Sequence, residues 1–214
     1  MDEETAIIDA NTRNEKIKNF FIKNKTKIIS LVVFVIIILV IFFSYKEFQN
    51  RDKVNISDKF NSLTIDYKIQ KKNEVLTGLE LIINEKNPTY SPLALYFIID
   101  NKLTSDVKRI NSLFDILIEK TPLEKEIKNL VIYKKALFNA DLSNENELLS
   151  ILKPIINSDS VWKSQALYLL GEFFISQNEK QKAKDFFEQI ISLPSSNEKI
   201  RIEAKKRLDR DLSD

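Results

Sequence analysis

The sequence predicts an all-α protein in which one transmembrane helix near the N-terminus is followed by a stack of antiparallel helix pairs. The first observation is an apolar stretch at residues 28–45 that contains no charged residue, Gly or Pro. The second is that apolar residues after Glu47 recur every three or four positions, which is the period of a helix. No alternating run is long enough to predict a strand. We therefore divide the chain into a leader at 1–27, the span at 28–45 and a helical domain at 46–214.

Residues 28–45 have the length and composition of a transmembrane helix. At a rise of about 1.5 Å per residue they cover about 27 Å, close to the roughly 30 Å hydrocarbon core of a bilayer. The alternatives are a buried element of a soluble domain and a cleaved signal peptide, which usually has a shorter apolar region and a small-x-small cleavage site. This stretch ends instead in Phe42, Phe43, Ser44 and Tyr45. We expect an uncleaved signal anchor.

The basic residues that flank the span predict its orientation. Six precede it, namely Arg13, Lys16, Lys18, Lys23, Lys25 and Lys27. Four follow it, namely Lys46, Arg51, Lys53 and Lys59. Because an excess of Lys and Arg marks the cytoplasmic side, the leader is expected in the cytoplasm. In a bacterial cell the helical domain would then lie in the periplasm, anchored in the inner membrane. The alternative is the reverse topology, with cytosolic repeats as in organelle import receptors.

Composition argues against several classes of function. With 33 basic and 31 acidic residues among 214, the net charge is +2, and no basic and aromatic strip indicates nucleic-acid binding. The chain has neither His nor Cys, which removes the commonest general base, the commonest zinc ligand and any thiolate nucleophile. Its two glycines, Gly78 and Gly171, are too few for a phosphate-binding loop. We therefore expect no enzyme activity, cofactor or metal. The carboxylates that an enzyme could use, Asp100 with Asp106 or Glu172, are interpreted as exposed helix faces or caps.

A series of amphipathic helices is predicted after the span. The first carries Ile56, Phe60, Leu63 and Tyr67 on one side. This stripe is too short to predict a coiled coil, so docking onto its own domain is favoured over dimerisation. The next helices are expected at residues 73–85, 91–99, 106–119, 122–140 and 145–156. The apolar face of the helix at 73–85 is expected to consist of Val75, Leu76, Leu79, Ile82 and Ile83. At the third junction Thr121 and Pro122 are expected to end one helix and start the next, with Thr121 as the cap and Pro122 in the first helical turn. Pro154 is expected to bend or end the last of these helices.

Residues 164–197 carry the clearest pattern. Large and small residues alternate there at fixed spacings, at Leu167, Leu170, Gly171, Phe174, Ala183 and Phe187. This pattern resembles the tetratricopeptide repeat, a 34-residue pair of antiparallel helices in which small residues allow close packing. Two departures are Ile190, where Ala is usual, and Pro194, which falls one residue early. The resemblance implies a right-handed solenoid of helical hairpins, closed by a capping helix at residues 198–208 that turns Arg207 outward.

An earlier, degenerate repeat keeps the same register. Shifting the last repeat back by 73 residues places Ile98 at the position of Gly171 and Ile110 at that of Ala183. These larger residues predict a pair that packs more loosely or at another angle.

The layout of the chain, together with the Trp-led last repeat at residues 162–208, resembles a family of bacterial envelope proteins. This is the YfgM-like group, the ancillary subunit of the Sec translocon, of which this chain would be a divergent form. The resemblance implies a periplasmic domain beside the translocation channel that binds emerging polypeptides or passes them to chaperones. The partners that it implies are Sec translocon subunits, secreted polypeptides and periplasmic chaperones.

A partner would bind along the groove formed by the first helices of each pair. The groove-facing positions expected in the last repeat are Gln165, Tyr168, Glu172 and Ile175, and those in the degenerate repeat are Leu95, Ile99 and Lys102. The alternative is that Tyr168 and Ile175 only pack within the domain, and for Trp162 packing is favoured. Another class of function stays open: a self-associating scaffold for envelope assembly, in which the span or the following helix forms a homodimer.

Overall fold

A computed structural model of the protein describes residues 15–16, 18–65, 67 and 72–212, and these residues form helices and connecting turns without strands. Residues 1–14 of the predicted leader, including Arg13, lie outside the described residues. The chain divides into two units, Met1–Asn55 and Ile56–Asp214. The all-α class predicted from the sequence is confirmed.

The predicted span lies within one long helix, α1 (Lys25–Ile65), which has 41 residues. Its first part, Lys25–Ser44, has a mean hydropathy of 3.0, and none of it is buried within the protein. By length and composition this part is able to cross a membrane. The span and the helix after it, which are expected from the sequence as separate elements, lie in one helix of the described backbone.

Eight further helices follow among the described residues. They are α2 (Lys72–Asn84), α3 (Tyr90–Asp100), α4 (Val107–Asp115), α5 (Lys125–Asn139), α6 (Glu145–Ile156), α7 (Lys163–Ser176), α8 (Lys180–Ser192) and α9 (Glu198–Asp211). A π-helical turn, Ile116–Lys120, extends α4. Pro154 lies in the last turn of α6, which ends two residues later.

The connection between the π-helical turn and α5 corrects the prediction for Thr121 and Pro122. The Thr121 hydroxyl donates a hydrogen bond of 3.1 Å back to the Ile116 carbonyl, so it closes the preceding turn and does not cap the next helix. Carbonyls at the end of a helix lack an intrahelical donor, and this bond supplies one. α5 then begins only at Lys125.

Two clusters of buried side chains hold the second unit together. The first joins the end of α1 to α2, α3 and α4, and Phe114 is fully buried in it. All five apolar residues predicted for the face of α2 are buried there: Val75, Leu76, Leu79, Ile82 and Ile83. The second cluster joins helices α5 to α9 around Phe174 and Phe187. Burial in both clusters supplies the main driving force for the stack.

The degenerate repeat packs loosely, as its sequence predicted. α3 was expected to pair with the helix at residues 106–119, yet its more extensive contact is with α2. The bulky Ile98 and Ile110, which replace the small residues of the last repeat, are both buried. The less extensive contact between α3 and α4 is the outcome expected for large side chains at both positions, because a helix pair approaches closely where small side chains face each other.

Substituting phenylalanine for Tyr96 is expected to remove a loss of stability at alkaline pH. The Tyr96 hydroxyl is buried without a hydrogen-bond partner among the described residues, and burial raises its pKa to about 12. An unfolded tyrosine ionises near pH 10, so between these values the folded chain binds more protons and stability falls as pH rises. Thermal unfolding at several pH values would show that Tyr96→Phe flattens this part of the profile.

The matched control is Tyr90, whose hydroxyl donates a 2.8 Å hydrogen bond to Ser57. Tyr90→Phe is expected to lower stability by about 1 kcal/mol at pH 7, since a satisfied hydrogen bond is lost. Tyr96→Phe is expected to lose no stability at pH 7, because its hydroxyl makes no hydrogen bond with the described residues and Lys134 stays over the ring at 4.7 Å from its centre. Equal losses in the two variants would show that the Tyr96 hydroxyl has a partner.

Candidate functional site

The last repeat, α7 with α8, is the most closely packed helix pair among the described residues. The structure buries all six residues of its predicted signature in the second cluster: Leu167, Leu170, Gly171, Phe174, Ala183 and Phe187. A Cβ atom added at Gly171 would lie 2.6 Å from the Phe187 ring. The aromatic ring therefore occupies the space that the missing side chain leaves, and this contact fixes the distance between the two helices.

The capping helix α9 covers part of the predicted groove. Arg207 lies in α9 and donates a hydrogen bond to the Glu172 carboxylate of α7, although the sequence predicted that Arg207 points outward. A second bond of 2.8 Å joins Arg207 to Asp211 within α9. Tyr168 packs edge-on against Phe187 with ring centres 5.4 Å apart. Tyr168 and Glu172 thus contact the repeat and its cap, which favours the packing alternative for Tyr168.

The contacts around Arg207 shift the pKa values of Asp211, Arg207 and Tyr168. Hydrogen bonds from Arg210 and Arg207 hold the pKa of Asp211 well below its usual range. The hydrogen bond to the Asp211 carboxylate is also the main reason why the pKa of Arg207 is raised. Burial is the main cause that raises the pKa of Tyr168, so its hydroxyl stays protonated. The cluster supplies an ionic contact between α7 and α9.

The other predicted groove residues differ in accessibility. Leu95 is 0% exposed, so its assignment as a contact residue is corrected: it lies in the first cluster, where a partner cannot reach it. Ile99 is half-buried against the same cluster, and Lys102 is exposed in the turn after α3, with a left-handed φ of 49°. In the last repeat, Gln165 is half-buried and accepts a 3.0 Å hydrogen bond from Ser164. In the degenerate repeat, Leu95 and Ile99 therefore pack on the first cluster. In the last repeat, Tyr168 and Ile175 pack on the second cluster.

Two further sequence assignments can be compared with the structure. Trp162 is half-buried and stacks on Tyr133 with ring centres 5.9 Å apart and an interplanar angle of 19°. This contact matches the favoured packing role. Asp106 caps α4 by accepting a 3.0 Å hydrogen bond from the Arg109 amide. No group of three or more acidic residues among the described residues is arranged to hold a metal ion.

A cleft that the sequence analysis missed lies between the end of α1 and α2. It has a volume of about 520 Å³ and is lined by Leu63, Leu81 and Ile82, with Lys59 and Glu85 at its rim. Leu81 is 61% exposed there, although it lies on a helix whose other large apolar residues are buried. In the sequence, the one indication of this cleft is that Leu81 is apolar although it lies outside the buried stripe of α2. The cleft presents apolar surface next to an ion pair of 3.0 Å between Lys59 and Glu85.

Together these features define the class of protein: an all-α stack of helical hairpins that follows an apolar helix able to cross a membrane. No protein-family model and no solved structure matches the chain. The chain is similar to the ancillary SecYEG translocon subunit of Buchnera aphidicola subsp. Acyrthosiphon pisum (strain APS). The two are 25% identical over 179 residues, which cover 81% of this chain and 89% of that protein. The resemblance stated from the sequence is confirmed, and the chain is a divergent relative of that subunit.

Proposed function

We propose that this chain is a membrane-anchored protein-interaction module, ancillary to the Sec translocon of a bacterial inner membrane. The observation that carries the proposal is its similarity to a translocon subunit along most of both chains. An apolar helix near the N-terminus and a stack of helical hairpins support it. The relative bears the name of a translocon subunit and not that of an enzyme, which supports binding instead of catalysis as the activity.

The partners proposed for the helical stack are translocating polypeptides or periplasmic chaperones. An unfolded chain exposes apolar side chains at irregular spacing, so a site for it needs apolar surface that accepts many sequences. Ile175 and Ile99 offer partly exposed apolar surface on the first helices of two repeats. The cleft beside Leu81 offers a further apolar surface on α2. Their modest size suits transient contacts, since an apolar patch of a few side chains gives weak binding.

Photocrosslinking in intact cells tests this proposal. A photoreactive residue at position 175 is expected to form adducts with translocon subunits, secreted precursors and periplasmic chaperones. The matched control is Glu188 of α8, which is exposed on the second helix of the same repeat, and it should give far fewer adducts. Adducts with cytosolic proteins alone would contradict the proposal. Adducts chiefly between two copies of the chain would favour the self-associating scaffold.

We also propose that the N-terminus is cytoplasmic and that the helical domain is periplasmic. The support is the excess of basic residues before the span. An alkaline phosphatase reporter fused after Asp214 is expected to be active, because that enzyme folds only outside the cytoplasm. A green fluorescent protein fused at the same position is expected to be dark after Sec-dependent export. The opposite pair of results would indicate cytosolic repeats.

A further inference from the structure

Four lysines form a basic collar directly before the apolar part of α1: Lys18, Lys23, Lys25 and Lys27. All four are exposed. Glu15 lies three positions before Lys18, but the sequence contains no acidic residue between Lys16 and Lys46, so Lys23, Lys25 and Lys27 have no acidic neighbour along the chain. Positive charge at the end of an apolar helix attracts anions. Here the positive charge lies directly next to the predicted membrane span.

The collar lysines lie on both sides of a turn at Asn24, which interrupts the helix. Backbone hydrogen bonds of 3.0 Å from Asn24 to Phe20 and of 2.9 Å from Ile28 to Asn24 bridge this turn. Lys18 and Lys23 lie in the helical residues before it, and Lys25 and Lys27 lie in the first turn of α1. The collar therefore presents two exposed ammonium groups on each side of the interruption.

An apolar triplet lies between the first two lysines of the collar. Phe20, Phe21 and Ile22 are 60%, 55% and 64% exposed, and the two rings meet edge to face with centres 6.0 Å apart. Exposed Phe and Ile side chains beside lysines bury themselves at the boundary between headgroups and acyl chains, and long lysine side chains extend from that depth towards water. The order of basic, aromatic and basic residues therefore fits the headgroup layer of a bilayer better than free solution.

We propose that the basic collar binds the phosphate groups of anionic phospholipids in the leaflet that faces the N-terminus. This inference rests on the membrane span of the proposed function and adds a lipid partner to its protein partners. Lysine is suited to the role, since its ammonium group is a point charge with three donors on a flexible stem. Juxtamembrane lysines gain from the negative potential of anionic lipids, and that gain is lost as salt screens the charges.

Native mass spectrometry of the full-length protein tests the inference. The protein is purified in a neutral detergent and mixed with equal amounts of dioleoyl phosphatidylglycerol and dioleoyl phosphatidylcholine. We expect phosphatidylglycerol adducts to exceed phosphatidylcholine adducts by roughly three- to tenfold, and this ratio to fall as ammonium acetate is raised. The triple substitution Lys23→Gln, Lys25→Gln and Lys27→Gln is expected to bring the ratio close to one.

The matched control removes the same charge from exposed lysines of the second unit, Lys125, Lys128 and Lys153. With Gln at these three positions the preference for phosphatidylglycerol should be kept, and circular dichroism should show equal helix content in all variants. Equal binding of both lipids by the unaltered protein, or an equal loss in the control, would overturn the inference while leaving the span intact. Protein that stays soluble without detergent and binds neither lipid would overturn the span and the inference together.

Discussion

Replacing Phe187 with alanine is expected to lower the free energy of unfolding by about 3–5 kcal/mol, one of the two largest effects among the substitutions considered. The Phe187 ring is fully buried in the second cluster and fills the space beside Gly171. Its removal leaves a cavity between α7 and α8 that a close-packed core cannot collapse to fill. Chemical denaturation of the detergent-solubilised protein, followed by circular dichroism, measures the loss.

The neighbouring Phe186 provides a control of the same chemistry. It is half-buried and stacks on Phe174 with ring centres 5.5 Å apart. Because less of its surface leaves water on folding, Phe186→Ala is expected to cost about 1–2 kcal/mol. If both substitutions had the same effect, the close approach of α7 and α8 would not depend on the ring that lies against Gly171.

The second large effect is expected at Gly171. Alanine is the better helix former by about 1 kcal/mol, so propensity alone predicts that Gly171→Ala is stabilising. Its Cβ would however meet a ring that has no free space to move into, and overpacking of this kind costs about 1–3 kcal/mol. We expect a net loss of stability, and a larger one for Gly171→Leu, measured by the same denaturation experiment.

Gly78 is the matched position for this substitution. A Cβ at Gly78 would lie 2.7 Å from both terminal methyl groups of Leu63. Leu63 is only half-buried at the wall of the cleft, so its side chain can rotate away and the gain in helix propensity remains. Gly78→Ala is therefore expected to be neutral or stabilising. A double substitution, Gly171→Ala with Phe187→Leu, should recover part of the loss; strictly additive costs would contradict the proposed contact.

The sequence predicted the parts of the fold that depend on local pattern. The stripe of α2 and the signature of the last repeat are buried as expected, because each needs only residues three or four positions apart on facing helices. Leu95 was predicted to face the groove and is instead buried; local pattern alone could not show its neighbours. A single helix shows which of its sides is apolar, but not which neighbour covers that side, and α3 packs mainly on α2.

Polar contacts between distant residues could not be predicted from the pattern. Asn139 is buried and exchanges two hydrogen bonds of 2.8 Å with Asn111, a residue of another helix. An asparagine in an amphipathic helix is normally assigned to the exposed face, since burial is favourable only when a partner satisfies the amide. The bond from Arg207 to Glu172 is a similar case. For this reason the sequence assigned Glu172 to an open groove that α9 partly covers.

The stacking of Trp162 on Tyr133 gives the protein an internal optical reporter. Trp162 is the single tryptophan of the chain, so its fluorescence comes from one place, the junction where α7 meets α5. Helix stacks of this type can lose neighbouring pairs in sequence and need not unfold in one step. An emission shift that precedes the loss of ellipticity during a titration would reveal separation of these pairs before the helices themselves melt.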